Sequence, residues 1–249
     1  MSERTGIAWC DHTFNPWIGC QKVSDGCRHC YAERENGRFN WVDRWGVNYR
    51  RTSEANWKKP ITWAKNAVRE HFIRRVFCAS LADVFDLNVP DEWRNDLFRL
   101  ILETDEIGGL EWLILTKRPE NITQIPARLD NMASVRIGIT AENQDMANKR
   151  VPQFLRDWRG KNFLSIEPML SPVTIPPKGW QFVDWAICGC ESGPNARPTS
   201  VEWVRGLRDE CVGAGVPFFL KQMAVDKRLV TTPVLDGRQW MEFPIGGDE

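Results

Sequence analysis

The sequence predicts an α/β fold with mostly parallel strands and a small C-terminal closure, and three observations predict it. Six short apolar runs recur: Val76-Phe77-Cys78-Ala79, Trp112-Leu113-Ile114-Leu115, Val135-Arg136-Ile137-Gly138-Ile139, Phe163-Leu164-Ser165-Ile166, Val183-Asp184-Trp185-Ala186-Ile187-Cys188 and Val216-Pro217-Phe218-Phe219-Leu220. Most are nearly continuous rather than alternating, as strands buried on both faces are. Helical patterns lie between several of them, and strand–helix alternation implies right-handed βαβ units. A cluster of polar side chains follows each run at once.

In chain order, Ile7-Ala8-Trp9 is the candidate for a strand upstream of a cysteine-bearing loop at 13–31. After the first run, residues 91–103 put Trp93, Leu97, Leu100 and Ile101 on one helical face, with Asp91 and Glu92 in the first turn. Residues 142–158 carry Met146, Val151, Phe154, Leu155 and Trp158 at helical spacing, and Pro152 is expected to break or restart that helix. The Pro-rich stretch 171–180 reads as a loop within one unit. Thr199-Ser200-Val201-Glu202 has the pattern of a capping box for a helix over 200–212, and Gly213 and Gly215 supply a stop. From about Val225 the chain reads as a small β or irregular closure. No repeat and no domain boundary stand out. The chain is therefore read as one unit, 1–249, with a core at about 72–223 and a tail at 224–249.

Composition narrows the function classes. The 249 residues are 42% hydrophobic and 27% charged, enough for a sizeable core. No apolar run approaches the ~18 residues of a membrane span. Met1-Ser2-Glu3-Arg4 is polar and lacks a secretory apolar region, so the expected location is the cytoplasm and no membrane partner is expected. There, eight cysteines read as thiols or metal ligands rather than disulfides. Net charge is zero, so no global field selects a polyanion. Residues 28–75 nevertheless hold twelve Lys/Arg against five Asp/Glu, interleaved with eight aromatics. Such a segment is either a solvated face with core aromatics or a groove for nucleic acid or nucleotide.

The densest chemistry lies in Cys20, Cys27 and Cys30, spaced C-x6-C-x2-C without an equally close fourth cysteine. A closed structural metal site takes four protein ligands, whereas a reactive one keeps a position open. Three thiolates on one loop suit an iron–sulfur cluster with one uncapped iron, which could chelate S-adenosylmethionine. Zinc is the alternative, with His29, Cys10 or His12 as a further ligand. Three unrelated thiols are a third reading. Cys78, Cys188 and Cys211 sit in apolar patterns and read as core thiols, whereas Cys190 faces a strand end.

The polar clusters after the six runs supply Ser80 and Asp83; Thr116, Lys117 and Arg118; Thr140 and Glu142; Glu167; Cys190 and Glu191; and Lys221 with Gln222. Sites in parallel α/β folds form at the carboxyl ends of strands, so these clusters point to one rim. Glu142, Glu167 and Glu191 could bind hydroxyl or amino groups or act as acid and base. They could equally form ion pairs with Lys117, Arg118, Arg197 or Lys221.

The cysteine loop, with aromatic Tyr31 beside its last cysteine, resembles that of the radical S-adenosylmethionine superfamily. There the commonest spacing is C-x3-C-x2-C, and the first gap here is longer. The run Thr13-Phe14-Asn15-Pro16-Trp17-Ile18-Gly19-Cys20 is similar to a family of phage- and mobile-element-associated three-cysteine proteins. So are Leu115-Thr116-Lys117-Arg118-Pro119, Gly138-Ile139-Thr140-Ala141-Glu142-Asn143, Leu164-Ser165-Ile166-Glu167-Pro168, Glu191-Ser192-Gly193 and Phe219-Leu220-Lys221-Gln222. That family is distantly similar to spore photoproduct lyase, which acts on DNA. The chain departs from it at Cys190, where the family has glycine.

The resemblance implies a partial TIM-like (β/α)6-type barrel. It implies a 4Fe-4S cluster on Cys20, Cys27 and Cys30, with S-adenosylmethionine on the fourth iron. A 5′-deoxyadenosyl radical would then abstract hydrogen from an unidentified substrate, with nucleic acids and nucleotides as candidates. Strand-end position makes Ser80, Thr140, Glu142 and Glu167, with Tyr31, the cofactor candidates. Lys117, Arg118, Glu191, Arg197 and Lys221 are the substrate candidates. An electron donor, a reductase or flavodoxin-like protein, is expected, and a partner protein is a further candidate. The competing expectation is a non-catalytic, zinc-stabilised module binding nucleic acid or protein.

Overall fold

The computed structural model describes residues 5–130, 132–226 and 228–244. The polar stretch Met1-Ser2-Glu3-Arg4 and residues 245–249 of the tail lie outside the described residues. In chain order the elements are β1 (His12–Phe14), β2 (Trp17–Ile18), α1 (Tyr31–Phe39), β3 (Arg50–Arg51), α2 (Glu54–Trp57) and α3 (Lys59–Glu70). Then come β4 (Arg74–Cys78), α4 (Asp91–Ile107), β5 (Leu110–Thr116), β6 (Val135–Thr140), α5 (Gln144–Asp157) and β7 (Lys161–Ile166). The chain continues through α6 (Pro177–Trp180), β8 (Ala186–Gly189), α7 (Val201–Ala214), β9 (Phe218–Val225) and β10 (Arg228–Thr231). A small hairpin, β11 (Val234–Leu235) and β12 (Arg238–Gln239), follows.

One curled sheet runs β1-β4-β5-β6-β7-β8-β9-β10. All neighbours are parallel except β9–β10, which makes this a partial TIM-like barrel. All six apolar runs became strands, β4 to β9. The upstream strand is a correction: Ile7-Ala8-Trp9 is not extended, and the first strand is β1, paired with β4 through His12–Val76 and Phe14–Cys78. The apolar character of residue 9 serves packing instead. Trp9 folds onto the concave face with Phe77, Leu113, Phe163, Trp185, Ile187 and Phe219.

The strand period of two explains why both faces are apolar. Phe77, Leu113 and Phe163 point into the barrel, while Val76, Trp112, Ile114 and Leu164 belong to the core beneath the helices. Gly138 has the concave position on β6, and the Phe163 ring fills the space its side chain would take. Deeper in, buried Arg136 donates to buried Glu111 at 3.0 Å and to the exposed Asp184 at 3.2 Å. Phe243 stacks beneath the Arg75 guanidinium at 4.3 Å, so the tail closes that end.

Two local expectations need correcting. Pro152 does not interrupt α5, because Val151 and Phe154 are buried beside it and their packing carries the helix past the missing N–H. The cap of α7 is Ser200, whose side chain accepts from the Glu202 N–H, while Thr199 donates to the Met169 carbonyl. Gly215, in the left-handed region, ends that helix, and Gly213 lies within it.

Candidate functional site

A cavity of about 520 Å³ opens at the carboxyl ends of the parallel strands. This is within the range of small-molecule sites, roughly 300–1,000 Å³. Cys20, Cys27 and Cys30 line it from one side. Strand-end residues Ser80, Lys117, Thr140, Ser165, Glu167 and Lys221 line it from the other. The structure therefore brings the loop and the rim together, although they are far apart in sequence.

The loop is held at every turn. The Gly19 N–H donates to the Leu81 carbonyl at 3.1 Å. The Gln21 N–H donates to Asp86 at 2.9 Å. The Gly26 N–H donates to Glu142 at 3.3 Å, and a Cβ on residue 26 would lie 2.8 Å from the Glu142 carboxyl carbon. Only glycine lets the loop approach that carboxylate. Arg197 reaches back from beyond β8 to Asp25 at 2.8 Å. The Tyr31 hydroxyl donates to the Ser80 carbonyl at 2.5 Å.

These contacts sort the candidate residues. Arg118 lines the cavity, but its guanidinium is buried and committed: to Asp83 at 2.8 Å, Asp86 at 3.0 Å and the Gln21 carbonyl at 2.8 Å. Its Nη1 also lies 3.9 Å from the Cys20 sulfur. Glu142 is fully buried behind the wall, paired with Arg150 at 2.7 Å. Arg197 does not line the cavity and grips Glu191 through Nη2 at 2.5 Å. Glu191 lines it and also accepts from His29 Nδ1 at 2.9 Å; since an ionised carboxylate only accepts, that ring nitrogen is the donor. Lys117 donates to Thr140 Oγ1 at 3.3 Å, and Lys221 pairs with Glu167. Lys221 is bulged from the ladder: the register passes from Cys188–Leu220 to Gly189–Gln222, and the extra residue is turned to the rim.

Two bracing residues escaped sequence reasoning. Arg150 lies among the buried residues Ala147, Val151 and Phe154 of α5, and a charge on an apolar helix stripe signals a buried partner. Asp86 carries no comparable local signal.

The surroundings tune the ionisable groups. Burial pushes the Cys20 thiol up, and Asp83 adds to this against the pull of Arg118. Burial likewise raises Cys30, and it takes Cys190 to about 11 with help from Glu167. Burial alone would raise Glu191. Hydrogen bonds from the Arg197 side chain and N–H and from His29 outweigh it and hold the carboxyl at about 2. Because the folded value lies below the ordinary 4.5, this stabilisation is present above pH 4.5 and lost as pH falls toward 2. Urea midpoints of the wild type and Glu191→Gln should therefore converge over that interval. A constant difference would contradict the assignment.

The donor set suits a soft metal cluster: three free thiols on one loop, open to one cavity. Among the described residues no three of His, Cys, Asp and Glu, these cysteines included, are gathered closely enough to hold a metal ion. The other ligand candidates are engaged elsewhere. His29 faces Glu191, His12 stacks on Trp63 at 4.3 Å, and the Cys10 thiol lies 3.8 Å from the Ile7 carbonyl. By donor chemistry and by the cavity they share, the residues fit a group that takes three thiolates and leaves one position open, once the loop draws the sulfurs together.

Among solved structures, variants of spore photoproduct lyase are similar to this chain. One, with AdoMet and dinucleoside spore photoproduct bound, has a TM-score of 0.48 and 12% identity over 81% of this chain and 61% of that one. A second variant has a TM-score of 0.49 and 13% identity over 76% and 58%. The chain thus spans about three fifths of the length of the structures it matches. No curated protein matches its sequence. A family model described as a protein of unknown function, DUF5131, matches residues 4–244, and the chain belongs to that family.

Proposed function

We propose that this chain is a radical S-adenosylmethionine enzyme, acting as one unit over residues 1–249. The observation that carries the reading is the opening of Cys20, Cys27 and Cys30 onto one strand-end cavity while the candidate fourth ligands are bonded elsewhere. When bound, a 4Fe-4S cluster on these thiolates supplies one-electron cleavage of S-adenosylmethionine and a 5′-deoxyadenosyl radical for hydrogen abstraction.

The chain's own residues bind and orient. Ser80, Thr140 and Glu167 line the cavity on the cofactor side, where the polar groups of the cofactor would share or displace their present partners Asn15, Lys117 and Lys221. Tyr31 braces the end of β4 through Ser80, and Glu142 acts on the cofactor side through the loop it holds. Lys117, Lys221 and the Glu191–Arg197 pair form the substrate side, with Arg118 fixing the loop beneath it. The apolar layer of Trp9, Phe77 and Leu113 closes the barrel to water from below. An external reductase or flavodoxin-like protein delivers the electron, and a partner protein could complete the mouth. The reading carries with it the kinship to phage and mobile-element proteins and a reducing cytoplasm, where eight free thiols persist. Among the described residues no helix is long and apolar enough to cross a membrane.

The test is anaerobic purification, reconstitution with iron and sulfide, and reduction with S-adenosylmethionine present. A paramagnetic cluster signal perturbed by S-adenosylmethionine, with 5′-deoxyadenosine formed, is expected. Cys27→Ala should lose the full cluster. Stoichiometric zinc and no cluster would overturn the proposal in favour of a zinc-stabilised binding module.

A further inference from the structure

Phe39 closes α1 with 52% of its surface exposed, and Trp41 stacks on it at 5.2 Å with the planes 18° apart. The Arg38 guanidinium lies 5.0 Å from the Phe39 ring centre. Water does not favour this display, and the fold holds it out by a dedicated device. Asn36 is buried and ties both ends of its amide to the turn: Nδ2 donates to the Val42 carbonyl at 2.9 Å and Oδ1 accepts from the Val42 N–H at 2.9 Å. Asn40 takes the left-handed conformation at the same turn. The pair is thus set rigidly at the surface.

The platform lies at the far end of a helix that starts at the cavity. Helix α1 begins at Tyr31, beside Cys30, and Tyr31, Arg34 and Trp45 all line the cavity mouth. Exposed arginines flank the rings along the chain. Arg28, Arg38 and Arg44 are exposed, and among the described residues no ion pair engages them. Of the nearby acids, Glu33 is taken by Lys22 at 2.6 Å, Glu35 lies 3.9 Å from Arg34, and Asp43 is exposed next to Arg44 in the chain.

We infer that Phe39 and Trp41, with Arg38 and Trp45, form a stacking platform for a single-stranded polynucleotide, whose next base is thereby delivered to the cavity. The inference rests on the proposed chemistry of that cavity only for what happens to the base, not for the binding. Rigid exposed aromatic rings pair with any base face, and unpaired guanidinium groups meet the phosphates. Aromatic and arginine side chains also mark protein interfaces; what favours a polynucleotide here is that the guanidinium groups of Arg38 and Arg44 carry no ion pair among the described residues, whereas a membrane would meet a longer basic apolar face.

The experiment is fluorescence anisotropy of labelled oligothymidylate and oligouridylate with the full chain, with and without the reconstituted cluster. Binding at low salt that weakens with added salt is expected, and the two probes distinguish a DNA from an RNA strand. The Phe39→Ala/Trp41→Ala variant should bind about tenfold or more weakly, and Phe39→Tyr/Trp41→Phe should restore most of the affinity. No binding of either probe at low salt overturns the inference. So does undiminished binding by the alanine variant, since charge alone would then suffice. Loss of cluster chemistry with binding intact would instead strike the proposed reaction and leave the platform standing.

Discussion

Replacing Glu142 by alanine should cost about 3–5 kcal/mol of stability, the cost of leaving one partner of a buried ion pair alone. Glu142 is 0% exposed, and the Arg150 guanidinium that donates to it at 2.7 Å is also buried. Without the carboxylate, Arg150 keeps the Thr140 carbonyl at 2.9 Å but no opposite charge at that distance. Removing both partners should recover part of the loss, because the uncompensated charge goes too. Urea unfolding of the two single variants and the double variant measures this directly.

The same substitution should free the loop. The Gly26 N–H loses its acceptor, so Cys27 in the cluster-free protein should react faster with an alkylating reagent. Burial raises the Glu142 carboxyl, but Lys117 and Arg150 outweigh it and hold the group below its ordinary value. Its contribution is therefore present above pH 4.5 and declines in more acid solution. A stability change below about 1 kcal/mol with unchanged alkylation would show that Glu142 does not brace the loop.

Gly138→Ala should destabilise the barrel by about 2–3 kcal/mol, and Gly138→Val by more. A Cβ on residue 138 would lie 2.2 Å from the tip of the Phe163 ring. A flexible side chain could swing away, but this ring is enclosed, with Trp9 at 6.1 Å and Trp185 at 5.9 Å. Phe163→Leu should be destabilising alone yet relieve Gly138→Ala, since it removes the atoms in conflict. Denaturant midpoints of the four proteins decide the matter. Additive effects would mean that the ring can move.

The parts legible in the sequence are those where one segment carries its own signal. Strands β4 to β9 are buried on both faces, so each announces itself as an apolar run. Ser200 and Gly215 announce helix ends because unpaired backbone groups need them there. The three cysteines identify the loop by spacing alone. Other features belong to the tertiary structure. Strand β1 has three residues and becomes a strand only because β4 offers it an edge. Trp9 is read as part of a strand until the barrel supplies the cavity it fills.

The polar rim divides in the same way. Its position at the strand ends follows from the sequence, but the part each side chain plays does not. Arg118 meets the Cys20 sulfur across 98 residues, Gly26 meets Glu142 across 116, and Arg197 meets Asp25 across 172. A carboxylate at a strand end looks the same in sequence whether it faces a ligand or clamps a distant loop. Periodicity reports only which face of an element is buried. Closure of the barrel decides what lies against that face, and so which charges are committed to the fold and which remain for chemistry.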